Sequence, residues 1–329
     1  MAILVTGGAG YIGSHMVWKL LDEGEDVVVI DRLSTGFEWA VAPEAELVVG
    51  DIGDADLVEN VIRRRGVDAI IHFAGSIIVP ESVADPLAYY QNNTVKSCGL
   101  IAAAVRTGVP HVIFSSTAAI YGTPENVPVT EDAPAQPESP YGTSKLMTEL
   151  MLRDAAAAHA FSYTALRYFN VSGADPLMRT GQSTKGATHL IKVASETATG
   201  KRPFMEVYGT DYPTRDGTCV RDYIHVADLV EAHHLALRRL RAGGASMVAN
   251  CGYGRGYSVL EVIDVVKRVT SRDFDVRLKG RRFGDAVEVV ANSDRARAEL
   301  NWKPRFDDLT VIVSHAVEWE MKLARRNEI

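Results

Sequence analysis

The sequence is poor in cysteine, with three in 329 residues, Cys98, Cys219 and Cys251. An odd number at wide spacing offers neither a disulfide framework nor a metal-ligand pattern. Each reads as a small buried hydrophobe, suited to the reducing cytoplasm. Excess positive charge is lacking as well. Asp and Glu number 42 against 35 Lys and Arg, a net charge of −7, and short basic clusters such as 63–65 read as solvated helix ends. A surface that neutralises a phosphate backbone needs the opposite balance, so nucleic acid is not expected as a partner. No run approaches the ~20 consecutive apolar residues of a membrane span. No repeat or low-complexity segment is present, and AILVTGG opens directly as a strand and glycine loop, so no targeting segment is expected. His233-His234 is a tempting metal pair, but neighbouring residues on a helix point in different directions, and no metal is expected.

What the sequence does have is a regular alternation of apolar strands and amphipathic helices. Spacing predicts strands over 2–6, 26–30, 47–49, 69–73, 111–115 and 162–168, with helices over 11–22, 54–65, 86–107 and 141–159. Within DVVVI at 26–30 the run after Asp26 is continuously apolar, as expected where both faces of a parallel sheet are covered. Asp54 and Asp85 stand where N-caps belong, Pro86 at a first helical turn, and Gly24 just past a helix end. The fold class is therefore α/β, a Rossmann-type doubly wound parallel sheet over 1–170. After Asn170 the pattern loosens. Helical spacing at 188–199, 226–241, 258–269 and 309–325 mixes with short strands and polar turns. This reads as a smaller mixed α/β substrate lobe over 171–329, with segments near 218–251 returning to the Rossmann part.

Between the first strand and first helix lies TGGAGYIG, residues 6–13. A pyrophosphate needs backbone to approach it with no side chain in the way. Gly7 and Gly10 supply the turn and the close approach, Gly13 lets the helix pack on the sheet, and the helix N-terminus offers N–H groups and a positive dipole end. The second strand ends in Asp31, which can accept hydrogen bonds from an adenosine ribose and would repel a 2′-phosphate, favouring NAD over NADP. Asp51-Ile52, after the third strand, suits an adenine edge and equally the start of a turn.

Tyr141-Gly-Thr-Ser-Lys145 opens a predicted helix, and residues four apart share a face. A tyrosine of ordinary pKa, about 10, is ~0.1% phenolate at neutral pH. A neighbouring ammonium and a positive nicotinamide ring favour the phenolate, and a drop of about 3 units corresponds to ~4 kcal/mol. Tyr141 would then serve as a general base. The fifth strand ends in FSST, placing Ser115, Ser116 and Thr117 at the C-terminal edge, where α/β sheets hold ligands.

TGGAGYIGS, HFAG at 72–75, SSTAAIYG at 115–122, YGTSK at 141–145, LRYFN at 166–170, DGTCVRDYIHVADL at 216–229 and NCGYGRGYSVLEV at 250–262 span nearly the whole chain. With them the sequence resembles the extended short-chain dehydrogenase/reductases, most of all their UDP-glucose/UDP-galactose 4-epimerase branch. The resemblance implies an NAD-dependent isomerase that inverts carbon 4 of a UDP-hexose. Tyr141 takes the proton of the 4-hydroxyl as hydride leaves for tightly bound NAD. The 4-keto sugar swings over on its diphosphate tether, and hydride returns to the opposite face. Lys145 binds the nicotinamide ribose and lowers the Tyr141 pKa, and Thr117, a serine in many relatives, holds the sugar hydroxyl.

By the same resemblance Tyr11 and Ile12 join the glycine loop in binding the cofactor. Phe73, Ala74 and Gly75 line it after the fourth strand, Asn93 reaches it from the long helix, and Ser115 and Tyr168 flank the nicotinamide. Phe169, Asn170, His189, Leu190 and Tyr208 lie along the UDP-sugar. Arg221 and Arg282 take the diphosphate and Asp285 the uridine ribose; pattern alone equally allows surface ion pairs for the arginines and strand core for Phe169. His189 departs from the asparagine of some relatives but still offers a ring nitrogen. SIIV at 76–79 lacks a lysine that several relatives aim at the NAD phosphates. Val289 falls near a size gate where a tyrosine excludes N-acetyl sugars and a small residue admits them, leaving N-acetylhexosamine and pentose substrates open. The long helices at 86–107 and 141–159 pair across a homodimer in this family. A 4,6-dehydratase needs an acid and a base after the hydroxyl residue, and here those positions are Ala118-Ala119, which transfer no proton. A dehydrogenase releasing NADH stays open, while a non-catalytic NAD sensor has no use for Tyr141, Lys145 and Thr117 together.

Overall fold

The computed structural model describes residues 1–282 and 285–326. Strands β1 (Ala2–Thr6), β2 (Asp26–Asp31), β3 (Glu46–Val49), β4 (Val67–His72), β5 (His111–Thr117) and β6 (Ser162–Tyr168) alternate with helices α1 (Tyr11–Asp22), α2 (Ala55–Arg65), α3 (Val79–Ala84), α4 (Pro86–Tyr89), α5 (Lys96–Thr107) and α6 (Pro140–Ala158). There follow β7 (Asn170–Ser172), α7 (Leu190–Ala198), β8 (Met205–Tyr208), β9 (Val220–His225), α8 (Val226–Arg241), β10 (Met247–Cys251), β11 (Gly256–Ser258), α9 (Val259–Thr270), β12 (Val276–Lys279), β13 (Glu288–Val289), α10 (Asp294–Leu300) and α11 (Leu309–Arg326).

Successive side chains of a strand face opposite ways, and here both faces are buried. Ile3, Val5, Val27, Val29, Ile71 and Ile113 pack with Met16, Val17 and Leu20 of α1 and Leu229 and Leu237 of α8. Leu4, Val28, Ile30, Ile70, Val112 and Phe114 pack on the other side with α2, α5 and Leu152 of α6. The seven strands run parallel in the order β3-β2-β1-β4-β5-β6-β10. Chain direction across the sheet reverses between β1 and β4, which opens a crevice at their C-terminal ends. β10 lies some eighty residues beyond β6 in sequence, yet it completes the sheet at that edge. Outside this sheet β9 pairs with β7, β11 and β13, and β8 pairs with β12. A separate apolar core joins Ile191 of α7, Val262 and Val266 of α9, and Ile312 and Val313 of α11.

The helix expected over 86–107 is not uniform. α4 passes through a π-helical turn, Tyr90–Val95, before α5 begins. Such a turn widens the helix and is common at functional sites. Here it carries Asn93, whose Oδ1 accepts from the Ser76 N–H at 2.8 Å while Nδ2 donates to the Ser76 carbonyl at 2.9 Å and to Ser144 Oγ at 3.1 Å. α3 was not among the expected helices. Pro80 sits in the first turn of α3, where a missing N–H costs no helical hydrogen bond. α6 begins one residue earlier than expected, with Ser139 as its cap, and β5 extends to Thr117.

Candidate active site

The glycine loop is shaped by contacts that leave no space for side chains. Gly7 has φ +73°, and a Cβ there would lie 2.7 Å from the Ala74 nitrogen; one on Gly13 would lie 2.1 Å from the Gly7 oxygen. Gly10 caps α1 without a side chain, so the first-turn N–H groups of Tyr11, Ile12 and Gly13 have no side-chain acceptor. Asp31, at the end of β2, accepts from the Ala9 N–H at 3.0 Å and the Leu33 N–H at 2.8 Å. Its carboxylate thus faces the glycine loop and keeps lone pairs for a ribose. An open helix N-terminus, a cradle that a Cβ would fill and an acid at the second strand end fit a dinucleotide. The Tyr11 hydroxyl donates to the Gly173 carbonyl at 2.7 Å, fastening the loop to the segment after β7.

The other expected cofactor contacts divide. Phe73, Ala74 and Gly75 follow β4 directly across from the glycine loop. Ile52 is buried, while Asp51 binds Lys96 Nζ at 2.5 Å and the Gly53 N–H at 2.8 Å. Burial pushes the Asp51 pKa up, but Lys96 and the Gly53 N–H outweigh it and hold the carboxyl below its usual range. Asn93 has both amide hydrogens and its oxygen engaged with protein, so it braces the 73–76 wall of the crevice.

At the end of β5 the reactive groups converge. Ser115 Oγ donates to the Tyr168 hydroxyl at 2.8 Å, and Lys145 Nζ donates to the Ser115 carbonyl at 2.9 Å. Thr117 Oγ1 accepts from the Ala119 N–H at 3.1 Å, which leaves its own hydrogen free to donate. Tyr141 is buried; burial raises its pKa, and a hydrogen bond with Thr117 opposes the rise. Lys145 is buried too, and burial brings its pKa down to about 8, with the Glu149 carboxylate pulling the other way. The expectation that Lys145 depresses the Tyr141 pKa therefore does not hold in the protein alone. Burial is the largest influence on each group, and in each it disfavours the charged form.

The expected substrate residues form three groups. Phe169 packs with Ala118, Ile120, Tyr121 and Val289 beside the end of β5. Val289 lies opposite Arg221 in the β13–β9 pair, and an Arg221 N–H donates to the Val220 carbonyl at 2.9 Å. Asn170 Nδ2 donates to the Asp222 carbonyl at 3.3 Å, holding β7 to β9. Arg282 lies over the Tyr208 ring at 4.6 Å and bonds Asp285 at 3.0 Å, so these three stand together, and the ion pair allowed by pattern alone is present. His189 caps α7, whose first residue is Leu190, and burial lowers its pKa.

Sequence reading missed three buried residues around this centre. His233 stacks on Phe73 with ring centroids 5.0 Å apart, and burial lowers its pKa to about 4. Dismissing the histidine pair as a metal site said nothing of this packing role. Glu149 and Arg167 form a buried ion pair at 2.6 Å. A charged residue four places past Lys145 on the inward helix face was the available signal.

Among the described residues, no helix is long and apolar enough to cross a membrane. Residues 3–252 match the model of the NAD dependent epimerase/dehydratase family. The chain is 56% identical to a UDP-glucose 4-epimerase of Azospirillum brasilense over 98% of its own length and 92% of that protein. It superposes on the crystal structure of UDP-glucose 4-epimerase from Brucella ovis in complex with NAD with a TM-score of 0.94, at 42% identity, covering 96% of this chain and 97% of that one. The enzyme from Bifidobacterium longum in complex with NAD+ and UDP gives a TM-score of 0.93 at 37% identity, with 98% of each chain covered.

Proposed function

Since the chain belongs to the NAD dependent epimerase/dehydratase family, we propose that it interconverts UDP-glucose and UDP-galactose by inverting sugar carbon 4. The observation that carries this reading is the meeting of Tyr141, Lys145 and Thr117 at the end of β5, beside the crevice between β1 and β4. NAD, when bound, supplies the acceptor and donor of hydride. The chain's part is to position the sugar, keep water out and move one proton. Tyr141 accepts the proton of the 4-hydroxyl and later gives it back. Thr117 accepts from the Ala119 N–H on one lone pair and donates its one hydroxyl hydrogen to the phenol, and its remaining lone pair accepts from the sugar hydroxyl. The burial that raises the Tyr141 pKa in the protein alone is offset once a positive ring and the Lys145 ammonium face it. Arg221 and Arg282 meet the diphosphate, which requires Arg282 to exchange its bond to Asp285 for the phosphate.

The test is incubation with UDP-glucose, UDP-N-acetylglucosamine and UDP-xylose without added NAD, followed by proton NMR. The expected result is UDP-galactose from the first. A 4-keto-6-deoxy sugar would move the protein to the dehydratases, and accumulating NADH to the dehydrogenases. Val289 favours a second substrate, the N-acetylated pair, because this modest side chain packs with Phe169 and Ala118 at the sugar end of the site. Val289→Tyr should lower turnover of UDP-N-acetylglucosamine relative to UDP-glucose by about tenfold or more. An unchanged ratio would remove Val289 from the gate.

The protein acts as a homodimer in this proposal. Val83, Leu87 and Val95 on the α3–α5 run and Met147 and Leu150 on α6 are exposed, Leu87 at 76%. Together they make an apolar face of the kind that marks an interface. Leu87→Glu should shift the mass measured by light scattering from dimer to monomer. A wild-type monomer at micromolar concentration would refute the pairing. The cytosol suits its three free thiols: Cys219 and Cys251 are buried as expected, while Cys98, expected to be buried, is exposed.

A further inference from the structure

Lys145 does its proposed work only as an ammonium, yet it is 4% exposed and has weak partners. It donates to one carbonyl, that of Ser115, and lies over the Phe114 ring at 4.9 Å. One turn further along α6, on the same face, stands Glu149, 5% exposed. Its oxygens are taken by other donors. Oε1 accepts from Ser116 Oγ at 2.5 Å and from Arg167 Nε at 3.0 Å, and Oε2 accepts from Arg167 Nη2 at 2.6 Å. Arg167 is held in turn by the Tyr121 hydroxyl at 2.9 Å, and Tyr121 donates to Asn250 Oδ1 at 2.7 Å. The carboxylate is thus fixed between α6, β5 and β6 and cannot swing toward the lysine.

We propose that Glu149 is a positioning residue whose carboxylate, pinned by Arg167 and Ser116, sustains the charge of Lys145 without drawing the ammonium out of the active site. This rests on the reading of Tyr141 and Lys145 given above. A freer carboxylate would form a direct ion pair and cancel the field that favours the phenolate. An uncharged group there would let burial discharge the lysine. Among the described residues, the surroundings of Lys145 offer no substitute. β4 presents His72, kept neutral by burial and by Lys145 itself. β5 presents Phe114 and Ser115, β6 presents Tyr168 and Arg167, and α6 presents Tyr141. Glu149 also raises the Lys145 pKa against the burial that lowers it.

The experiment is the pH profile of kcat for UDP-galactose conversion by wild type, Glu149→Gln and Glu149→Asp. Activity requires charged Lys145, so it falls as pH rises through the lysine pKa. In Glu149→Gln that falling limb should move to lower pH by about one unit, a tenfold loss on the alkaline side. Glu149→Asp, which keeps the charge, should bring the limb back. A packing defect would lower the plateau at every pH and leave the limb in place. A limb in Glu149→Gln that coincides with wild type overturns the proposal. Where the single change leaves Arg167 buried and unpaired, and so fails to fold, Glu149→Gln with Arg167→Gln removes both charges. A smaller displacement in the same direction is expected of it, because the guanidinium that opposes the Lys145 charge goes as well, and coincidence with wild type, or failure of both variants to fold, rejects the role. Failure of the underlying reading looks different: Tyr141→Phe retains full activity, or the wild type leaves UDP-hexoses unchanged, and the proposal falls with it.

Discussion

Tyr141→Phe should lower kcat for UDP-galactose conversion by about 10³-fold, some 4 kcal/mol of barrier, while the folded protein still binds UDP-sugar. The phenol is buried, and its opposing partner is the Thr117 hydroxyl, so phenylalanine fills the same space and removes only the proton carrier. Lys145 keeps its bond to the Ser115 carbonyl and Ser115 keeps Tyr168, so the rest of the site stays assembled. Tyr168 and Tyr89 are neighbouring phenols, and burial, together with Tyr141 itself, raises the pKa of each, so they make poor replacement bases. The measurement is steady-state turnover together with UDP-sugar affinity by calorimetry. Full activity would take Tyr141 out of its role; loss of both activity and affinity would make it a structural residue.

Gly13→Ala should be severely damaging, since its Cβ would make the shortest contact of any glycine among the described residues. The added carbon would stand 2.1 Å from the Gly7 carbonyl oxygen and 2.9 Å from the Gly8 Cα, both rigid backbone. Neither can turn aside as a side chain does, so the loop and α1 must separate. Overpacking of this kind costs about 1–3 kcal/mol or more. The displaced loop would also lose its approach to the pyrophosphate. The expected outcome is a protein that purifies without cofactor, read from its absorbance after denaturation, and melts several degrees lower. Retention of both cofactor and melting temperature would mean that the loop has slack that its geometry does not reveal. Gly24 is a useful control, because a Cβ there meets nothing within 4 Å; its φ of +79° leaves only local strain.

The sheet and the reactive trio were legible because each depends on neighbours in sequence. A strand buried on both faces is apolar along its buried run, as VVVI at 27–30 is, and a tyrosine and lysine four apart on a helix face the same way. What could not be read depends on distant contacts. The π-helical turn at Tyr90–Val95 exists where Asn93 meets Ser76 and Ser144, 17 and 51 residues away. The Glu149–Arg167 pair joins α6 to β6, and His233 reaches Phe73 from α8 across the sheet end. The upward pull of burial on the Tyr141 pKa in the protein alone was illegible for the same reason. Sequence shows which charges are near a group, but not how completely the fold removes it from water.

The late arrival of β10 has a consequence for how the protein is made. Until Met247–Cys251 pairs with β6, the growing polypeptide carries an open row of backbone donors and acceptors along Ser162–Tyr168. Synthesis of the intervening stretch takes roughly 4 to 15 s. Throughout that interval the newborn chain offers a sticky margin to its siblings on neighbouring ribosomes, so its yield in a cell depends on what shields that margin until the seventh strand emerges.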